Sequence, residues 1–488
     1  MESKLLLLLL ITLAKTVLSR VTVLSPKALA EQFKGPLKAS YSNFGRIPYG
    51  YTLTGRVYFD PTNSFADMAC YPITSIHIPK VQKLDETPIV MVDRGACKFV
   101  DKVQNVENIG GHLALLVDNR PNEDPSLVIM SDDEKMKGDS LGIPGVLISY
   151  EDGLIIKKFY RANKDNQKIL KSILLEIEFE MEHDSNQVNY SIYFSSEHFN
   201  VYRSFEKLFY FHTFLRYNTK LKPYYVTNQL AFGEEVLKEP KENCFSGGKY
   251  CIYPRFDLNI TDGRRILMEN IRQKCIYNDS YVKLNQTDIY WNYMNYFYLN
   301  CIGNGTQAKN FTDECSIDSM EATNVDPNSI SSCLYKSFGV NNNESEIFTS
   351  YLLNRNSDYL IRENNILKAD RENKENHNIN LIPKLLINNR TFWGSWNGEN
   401  IFEAICASFK NKPEVCYDEG AFEKENSPGM SMGIVILIII LVIVFNIIIF
   451  ILCRRYIKGR ISDKIKETDM TDRINTVVSN YLALKETK

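Results

Sequence analysis

The 488-residue chain lacks several motifs and compositional biases that mark common functional classes. It contains no HExxH zinc motif and no glycine-rich phosphate loop, and its six histidines lie scattered in no recognisable catalytic pattern. Its 57 lysines and arginines nearly balance 59 aspartates and glutamates, so the basic surface that nucleic-acid binding requires is not indicated. We therefore predict a protein that is not an enzyme, holds no metal or other cofactor, and binds no nucleic acid.

Long apolar runs are rare as well, and the two that occur lie near the ends of the chain. The first occupies residues 5–14 and follows Lys4, and Val17 and Ser19 after it are small residues suited to cleavage. A basic start, a short apolar centre and a small-residue end are typical of a secretory signal peptide. We predict that this signal covers residues 1–19.

The second apolar run is long enough for a membrane-spanning helix. Residues 432–452 carry no charge, and a helix of this length crosses a hydrocarbon core of roughly 30 Å. Basic residues follow it at once, whereas acidic residues precede it in a predicted linker over residues 418–431. The positive-inside rule therefore predicts a type I protein whose residues 453–488 form a cytosolic tail.

Glycosylation sequons and cysteines favour the same orientation. Eight Asn-x-Ser/Thr sequons occur, none after the predicted span: Asn189, Asn259, Asn278, Asn285, Asn304, Asn310, Asn343 and Asn389. Ten of the eleven cysteines precede the span, which predicts paired thiols in an oxidising lumen. The eleventh, Cys453, is either a palmitoylation candidate or an inert residue at the membrane edge.

The first lumenal domain, residues 20–184, has an α/β pattern. Residues 89–92 and 113–117 are short apolar runs typical of buried strands, and residues 99–109 between them have helical spacing. The sequence VDRGACKF, residues 92–99, joins the first of these strands to the helix. Loops at such junctions commonly bind ligands, because the helix N-terminus supplies N–H donors and positive potential.

The cysteine in this loop has two possible roles. A nucleophilic Cys97 needs a free thiolate and a base, but the nearest histidines, His77 and His112, lie in no catalytic motif. A disulfide between Cys70 and Cys97 is the favoured alternative, and it would stabilise the fold by roughly 3 kcal/mol in the chain-entropy model.

Arg94 precedes this cysteine, and a disulfide would hold it at a fixed position. Its guanidinium suits a carboxylate or the carbonyls of an extended peptide. The alternative is a surface ion pair with Asp93 or Asp101.

The second lumenal domain, residues 185–417, is rich in cysteine. Its eight thiols are Cys244, Cys251, Cys275, Cys301, Cys315, Cys333, Cys406 and Cys416. Eight thiols allow 105 pairings, so the sequence assigns none. Residues 341–380 are rich in asparagine and charge, which predicts an insertion.

Several segments of this domain resemble a thioredoxin-like fold. Residues 190–194 suit an opening strand, residues 381–387 a strand after a cis-proline, and residues 399–409 a closing helix. A disulfide exchanger would next show Cys-x-x-Cys at a helix start, but the chain reads SSEHFNVYRSF from Ser195. We therefore predict a mixed α/β (α+β) protein whose second domain does no redox chemistry.

Ordered stretches across both domains resemble the plant-type vacuolar sorting receptor family, which combines a protease-associated domain with a thioredoxin-like central domain. The stretches are residues 43–57, 90–111, 114–119, 263–277, 289–301 and 381–406. The resemblance implies that the cargo loop of the family corresponds to Arg94, Gly95, Cys97 and Phe99. It implies that a facing loop corresponds to Pro48, Tyr49 and Gly50. A simple proline-glycine turn is the alternative for the facing loop. Unlike the plant receptors, this chain has no cysteine-dense epidermal-growth-factor repeats before the predicted span.

The tail carries a possible sorting motif. Tyr481 and Leu484 have the tyrosine-x-x-apolar spacing that clathrin adaptors bind in an extended form; an amphipathic helix over residues 474–484 is the alternative.

Together these patterns predict a sorting receptor. It would bind peptide signals on soluble hydrolases in the Golgi lumen and recruit clathrin adaptors for delivery to the vacuole, lysosome or secretory granule. The expected location is the Golgi, trans-Golgi network, endosomal or prevacuolar membrane. The alternative is a membrane-tethered chaperone or a redox-inactive relative of disulfide isomerases.

Overall fold

The computed structural model describes residues 19–60, 68–79, 87–133, 136–228, 243–253, 263–302, 311–340, 362–417 and 432–485. The chain forms two compact units, residues 1–417 and residues 418–488. Most of the predicted signal peptide, the predicted linker and the first half of the asparagine-rich insertion lie outside the described residues.

Seven strands close into a barrel in the order β1-β2-β6-β5-β4-β3-β7. They are β1 (Ser19–Ser25), β2 (Leu37–Tyr41), β3 (Thr52–Tyr58), β4 (Thr87–Asp93), β5 (Leu113–Val117), β6 (Gly145–Ile148) and β7 (Leu174–Glu178). Strands β3 to β6 run parallel to one another, and the remaining pairs are antiparallel. Because the barrel is closed, each of these strands already has a neighbour on both sides.

Among the described residues, the α-helices that accompany the barrel are α1 (Lys27–Ala30), α2 (Phe99–Asn108), α3 (Tyr150–Ala162) and α4 (Gln167–Leu170). Helix α2 buries Val100, Val103 and Val106, whose spacing of three places them on one face. The helix stops before Gly111, where a Cβ atom would lie 2.5 Å from the Val106 side chain. The strand–helix–strand order predicted around VDRGACKF is therefore the observed β4-α2-β5.

A second sheet in this unit has four strands in the order β13-β12-β8-β9, and β10 and β11 form a separate two-stranded sheet. In chain order, the strands that follow the barrel are β8 (Val188–Phe194), β9 (Thr219–Tyr225), β10 (Cys244–Phe245), β11 (Tyr250–Cys251), β12 (Lys384–Ile387) and β13 (Arg390–Thr391). The helices are α5 (Phe199–Leu215), α6 (Gly263–Ile276), α7 (Thr287–Phe297), α8 (Asp313–Ala322), α9 (Pro327–Ser337), α10 (Asn365–Asn376) and α11 (Gly398–Ala407). Strand β8 is parallel to β9 and antiparallel to β12.

The segments predicted for a thioredoxin-like fold occur in this sheet. The bond between Ile382 and Pro383 is cis, directly before β12. Strand β8 contains the predicted opening strand, and α11 covers the predicted closing helix except for its last two residues, 408 and 409. Asn388 and Asn389 connect β12 to β13 with φ angles of 47° and 65°. Two residues with positive φ suit a type I′ hairpin turn, in which asparagine is favoured.

Side chains cover the outer edge of β9. The Leu221 N–H donates to Tyr281 Oη at 3.1 Å, and the Leu221 carbonyl accepts from Tyr277 Oη at 2.7 Å. The Tyr225 N–H donates to the buried Asp370 carboxylate at 2.8 Å. Because these backbone groups already have partners, β9 is a poor site for adding the strand of a peptide ligand.

Five disulfides form among the ten cysteines that precede residue 418, as the sequence predicts for an oxidising compartment. They are Cys70–Cys97, Cys244–Cys251, Cys275–Cys333, Cys301–Cys315 and Cys406–Cys416. The free Cys453 is exposed.

The unit over residues 418–488 contributes one helix, α12 (Met432–Lys485). Within the described part of the chain, no helix combines the length and apolar character needed to cross a membrane. The side chains of residues 432–440 and of Val442 lie outside that part. The span over residues 432–452 therefore stays a prediction.

Candidate functional site

The loop after β4 makes a sharp turn at one end of the barrel. The Arg94 N–H donates to the Val117 carbonyl at 2.9 Å, which extends the pairing of β4 with β5 by one residue. Gly95 and Ala96 then have φ angles of 127° and 62°, and the Cys97 N–H closes the turn on the Gly95 carbonyl at 2.8 Å. Positive φ disfavours residues with a side chain, so the turn needs external support.

A disulfide supplies that support. Cys70 and Cys97 are joined with a Cα–Cα distance of 5.6 Å, which is the pairing that the sequence favours. Lys102 is buried beside it and donates to the Met68 carbonyl, and its Nζ lies 3.4 Å from Cys70 Sγ. Burial lowers the pKa of Lys102 to about 8. Because Cys97 is bonded, it is not available as a nucleophile.

Arg94 is anchored by a carboxylate that the sequence analysis did not consider. Its Nη1 atom lies 3.1 Å from both Asp118 carboxylate oxygens, and the Asp118 side chain is fully buried. The alternative ion pairs are wrong, because Asp93 binds Lys157 and Asp101 binds Lys137.

The sequence held a signal for this contact. Asp118 directly follows β5 as Arg94 follows β4, and the carboxyl ends of neighbouring parallel strands meet at one edge of a sheet.

Asp118 occupies only part of the Arg94 guanidinium. The Nε and Nη2 atoms make no hydrogen bond with the residues that the structure describes, and the side chain remains 24% exposed. Its guanidinium carbon lies 5.4 Å from the centre of the Phe99 ring, and Arg120 approaches the same carboxylate at 3.5 Å. The Nε–Nη2 edge can therefore bind a carboxylate or peptide carbonyl with two parallel hydrogen bonds.

The resemblance-based assignment of the second loop needs correction. Tyr58 pairs with Val90 in the parallel β3–β4 ladder, so the residues before β3 and those after β4 lie at opposite ends of the barrel. Pro48, Tyr49 and Gly50 precede β3 and thus do not face the Arg94 loop.

Tyr49 is instead part of an interface between the barrel and the second sheet. Only 4% of it is exposed; its hydroxyl donates to the Trp393 carbonyl at 2.9 Å and accepts from the Trp393 N–H at 2.6 Å. Its ring lies 5.6 Å from that of Phe392. Gly50 has a φ of 81°, and a Cβ atom there would lie 3.1 Å from Ala407 Cβ. The aromatic FWGSW stretch over residues 392–396 is the sequence feature that could have indicated this interface.

Backbone hydrogen bonds strengthen this interface. The Gly394 N–H donates to the Ser42 carbonyl at 2.8 Å, and the Ser395 N–H donates to the Gly45 carbonyl at 2.9 Å. Arg46 and Glu403 add an ion pair between the two domains. The thioredoxin-like domain is therefore docked at the end of the barrel that lies away from Arg94.

The place where a thioredoxin-like fold would hold redox cysteines is occupied by buried polar residues. Ser195 and Ser196 are 1% and 0% exposed at the end of β8. The Ser196 N–H donates to Asn270 Oδ1 at 2.8 Å, and the Ser195 N–H donates to His198 Nδ1 at 2.9 Å. These serines cannot exchange disulfides.

The sequence also contains a short motif that is found around the nucleophile of hydrolases. Residues 138–142 read GDSLG and match Gly-x-Ser-x-Gly, the pattern of a nucleophile elbow. In the structure Ser140 ends a 3₁₀ turn, Lys137–Ser140, and its hydroxyl donates to the Lys137 carbonyl at 2.9 Å. A nucleophile elbow requires a strand-to-helix turn, so this match does not indicate a hydrolase.

Protonation of His212 does not provide a simple switch for acidic compartments. Its Nε2 lies 2.9 Å from Thr287 Oγ1 and 3.5 Å from Asp288. Burial lowers the pKa of His212 to about 4, although Asp288 opposes the shift. The side chain therefore stays neutral in the folded protein well below pH 6.

Half of the predicted glycosylation sequons lie within the described residues. These are Asn189, Asn278, Asn285 and Asn389, and each is at least partly exposed. The other four, Asn259, Asn304, Asn310 and Asn343, lie outside the described residues.

Comparisons with known proteins agree with this domain order. A model of the vacuolar sorting receptor thioredoxin-like domain matches residues 213–406, and a PA domain model matches residues 62–156. Vacuolar-sorting receptor 1 of Pisum sativum is 24% identical over 409 residues, covering 79% of this chain and 59% of the relative. Vacuolar-sorting receptor 6 of Arabidopsis thaliana is 23% identical over 420 residues, covering 82% of this chain and 60% of the relative.

Similarity to a solved structure is weaker. Oxidised BdbD from Bacillus subtilis is 12% identical and covers 47% of this chain and 92% of its own, with a TM-score of 0.26. This score is too low to support an inference about function.

The fold and the domain matches define a protein with a protease-associated domain followed by a thioredoxin-like domain. The chain belongs to the vacuolar sorting receptor family of the plant type. It spans about 60% of the length of the curated relatives that it matches.

Proposed function

We propose that this chain is a type I membrane receptor that binds peptide signals on soluble hydrolases in the Golgi lumen. It delivers them through endosomal or prevacuolar membranes to a vacuole, lysosome or secretory granule. Membership of the sorting receptor family supports the class of function. The partly unoccupied Arg94 guanidinium is the observation that supports a binding position.

The binding mode follows from which backbone groups are available. The barrel is closed, and side chains cover the outer edge of β9, so a visiting peptide cannot readily add a strand to the barrel or at β9. The proposed binding position is the Arg94 loop, where the Nε–Nη2 edge is available and Phe99 offers an apolar surface beside the guanidinium. The disulfide at Cys97 limits the conformational entropy that the loop loses on binding.

The lumenal orientation is part of the same proposal. The five disulfides suit an oxidising compartment, and the acceptor asparagines of the described sequons are each at least partly exposed. A signal peptide over residues 1–19 and a span over residues 432–452 would place residues 20–431 in the lumen.

A capture experiment separates this function from that of a membrane-tethered chaperone or redox-inactive disulfide isomerase relative. The thioredoxin-like fold favours that alternative as the second candidate. The purified full chain is immobilised and offered native secretory fluid, and separately a reduced, alkylated protein that stays unfolded. A receptor retains a defined set of folded hydrolases and ignores the unfolded probe. Equal retention of the unfolded probe and of unrelated secreted proteins would favour the chaperone.

The tail carries the proposed coat signal. Tyr481 and Leu484 lie in the helical backbone of α12, and their side chains lie outside the described residues. Adaptors read this type of motif as an extended strand, so the last turns of α12 would have to unwind on binding. Terminal helical turns fray readily because few contacts hold them.

Replacing the motif tyrosine should therefore misplace the receptor. Tyr481→Ala is expected to raise the fraction at the cell surface or in the Golgi several-fold, as measured by surface biotinylation and imaging. Tyr456→Ala is the matched control, because Tyr456 lies in the same helix and is followed by Ile-Lys-Gly. An unchanged distribution of Tyr481→Ala would remove the motif from the proposal.

A further inference from the structure

A cleft with both polar and apolar lining residues lies beside the Cys275–Cys333 disulfide, far in the sequence from the Arg94 loop. It has a volume of about 400 Å³ and lies between α9 and the π-helical segment that follows α6, Tyr277–Lys283. Small-ligand sites commonly have volumes of about 300–1,000 Å³. The cleft is therefore large enough to hold part of a ligand.

Asn278 forms part of the wall of this cleft, and it is the acceptor of the sequon Asn278-Asp279-Ser280. Its side chain is partly exposed and makes no hydrogen bond with the described residues. Ser280, in contrast, is 4% exposed, and its hydroxyl donates to the Ile276 carbonyl at 2.7 Å. The third sequon residue is thus inaccessible after folding, so a glycan must be attached before this segment packs.

The lining of the cleft suits a carbohydrate. Its lining combines hydroxyl and charged groups with two isoleucines, and the side chains that carry them are Ser329, Ser332, Asp279, Lys283, Lys336, Ile330 and Ile366. Lys283 donates to the Asp279 carboxylate at 3.1 Å. Lys336 is exposed and has no ion-pair partner in the part of the chain that the structure describes. Sugar hydroxyls can accept from these lysines and exchange hydrogen bonds with the serines.

We propose that the N-linked glycan on Asn278 folds back and packs its first sugars into this cleft, where it shields the Cys275–Cys333 disulfide. The occupant is the glycan of this chain rather than a free sugar, because covalent attachment at the wall gives a very high effective concentration. This inference depends on the lumenal orientation in the proposed function.

The test compares glycans within one native preparation. The full chain is produced in secretory cells that retain high-mannose glycans and is treated with an endoglycosidase before and after denaturation. Glycopeptide mass spectrometry then follows release at each sequon. Release at Asn278 is expected to be at least tenfold slower than at Asn189 in the native protein, and equal after denaturation.

A stability measurement gives a second readout. Asn278→Gln should lower the Tm of the second domain, residues 185–417, by about 2–4 °C, the shift expected for losing one modest interaction in a domain of that size. Asn189→Gln is the control, because Asn189 is exposed on β8 and it does not line the cleft. The Cys275–Cys333 disulfide should also be reduced faster by a small thiol when Asn278 carries no glycan.

The outcomes separate this inference from the proposed function. Equal native release rates at Asn278 and Asn189, or an occupied Asn189 with an unoccupied Asn278, would overturn the glycan-packing inference and leave the lumenal orientation intact. Absence of sugar from every sequon would overturn the lumenal orientation and the inference together.

Discussion

Arg94→Ala is expected to weaken cargo binding by roughly 30- to 700-fold, which corresponds to about 2–4 kcal/mol. The truncation removes the Nε–Nη2 edge, the only part of the guanidinium that Asp118 leaves available for a ligand. Arg94→Lys should lose nearly as much, because an ammonium group cannot make the two parallel hydrogen bonds of a planar guanidinium. Calorimetry with a hydrolase recovered by capture measures both changes.

Controls are needed because Arg94 also neutralises a buried carboxylate. Arg94→Ala leaves Asp118 with the more distant Arg120, at 3.5 Å, and should lower the free energy of unfolding by about 1–3 kcal/mol. Asp118→Asn removes the charge but retains Arg94, so its affinity should fall much less than that of Arg94→Ala. Arg120→Ala removes a nearby, more exposed guanidinium. Unchanged cargo affinity in folded Arg94→Ala would exclude Arg94 from the site.

Tyr49→Phe is expected to lower the free energy of unfolding by about 2–4 kcal/mol while leaving cargo affinity unchanged. The hydroxyl both donates to and accepts from the Trp393 backbone, so its removal leaves two polar groups of the interdomain contact without their partner. Thermal unfolding and limited proteolysis of the whole chain measure the loss, since undocked domains expose their connections to proteases.

Tyr51→Phe is the matched control for this change. It lies two residues away and is 68% exposed, so loss of its hydroxyl should change the stability by less than about 0.5 kcal/mol. If Tyr49→Phe instead lowered cargo affinity at unchanged stability, the loop would act in cargo binding, as the family resemblance implied.

Local patterns in the sequence were sufficient to predict the strand, loop and helix around VDRGACKF. The apolar runs before and after it match β4 and β5, and the valine spacing matches α2. These features depend on residues a few positions apart, whose side chains face a common direction once the backbone becomes regular. The disulfide between Cys70 and Cys97 could also be predicted, because it closes a short loop within one domain.

Contacts between distant parts of the chain could not be predicted from local patterns in the sequence. The eight cysteines of the second domain allowed 105 pairings, and the packing of the helices from α6 to α9 determines two of the four observed bridges. The role of Tyr49 depends on Trp393, which is 344 residues later. The family resemblance identified the right loop sequences but gave no information on which end of the barrel each loop occupies.

By itself, the sequence determined the order of the domains, the strand–loop–helix around Arg94, and the replacement of redox cysteines by serines. Only the tertiary structure decided that Asp118 anchors Arg94 through one nitrogen and that Tyr49 belongs to a domain interface. The physical reason is strand direction: β3 and β4 run parallel, so the loop before one and the loop after the other are held a whole strand length apart.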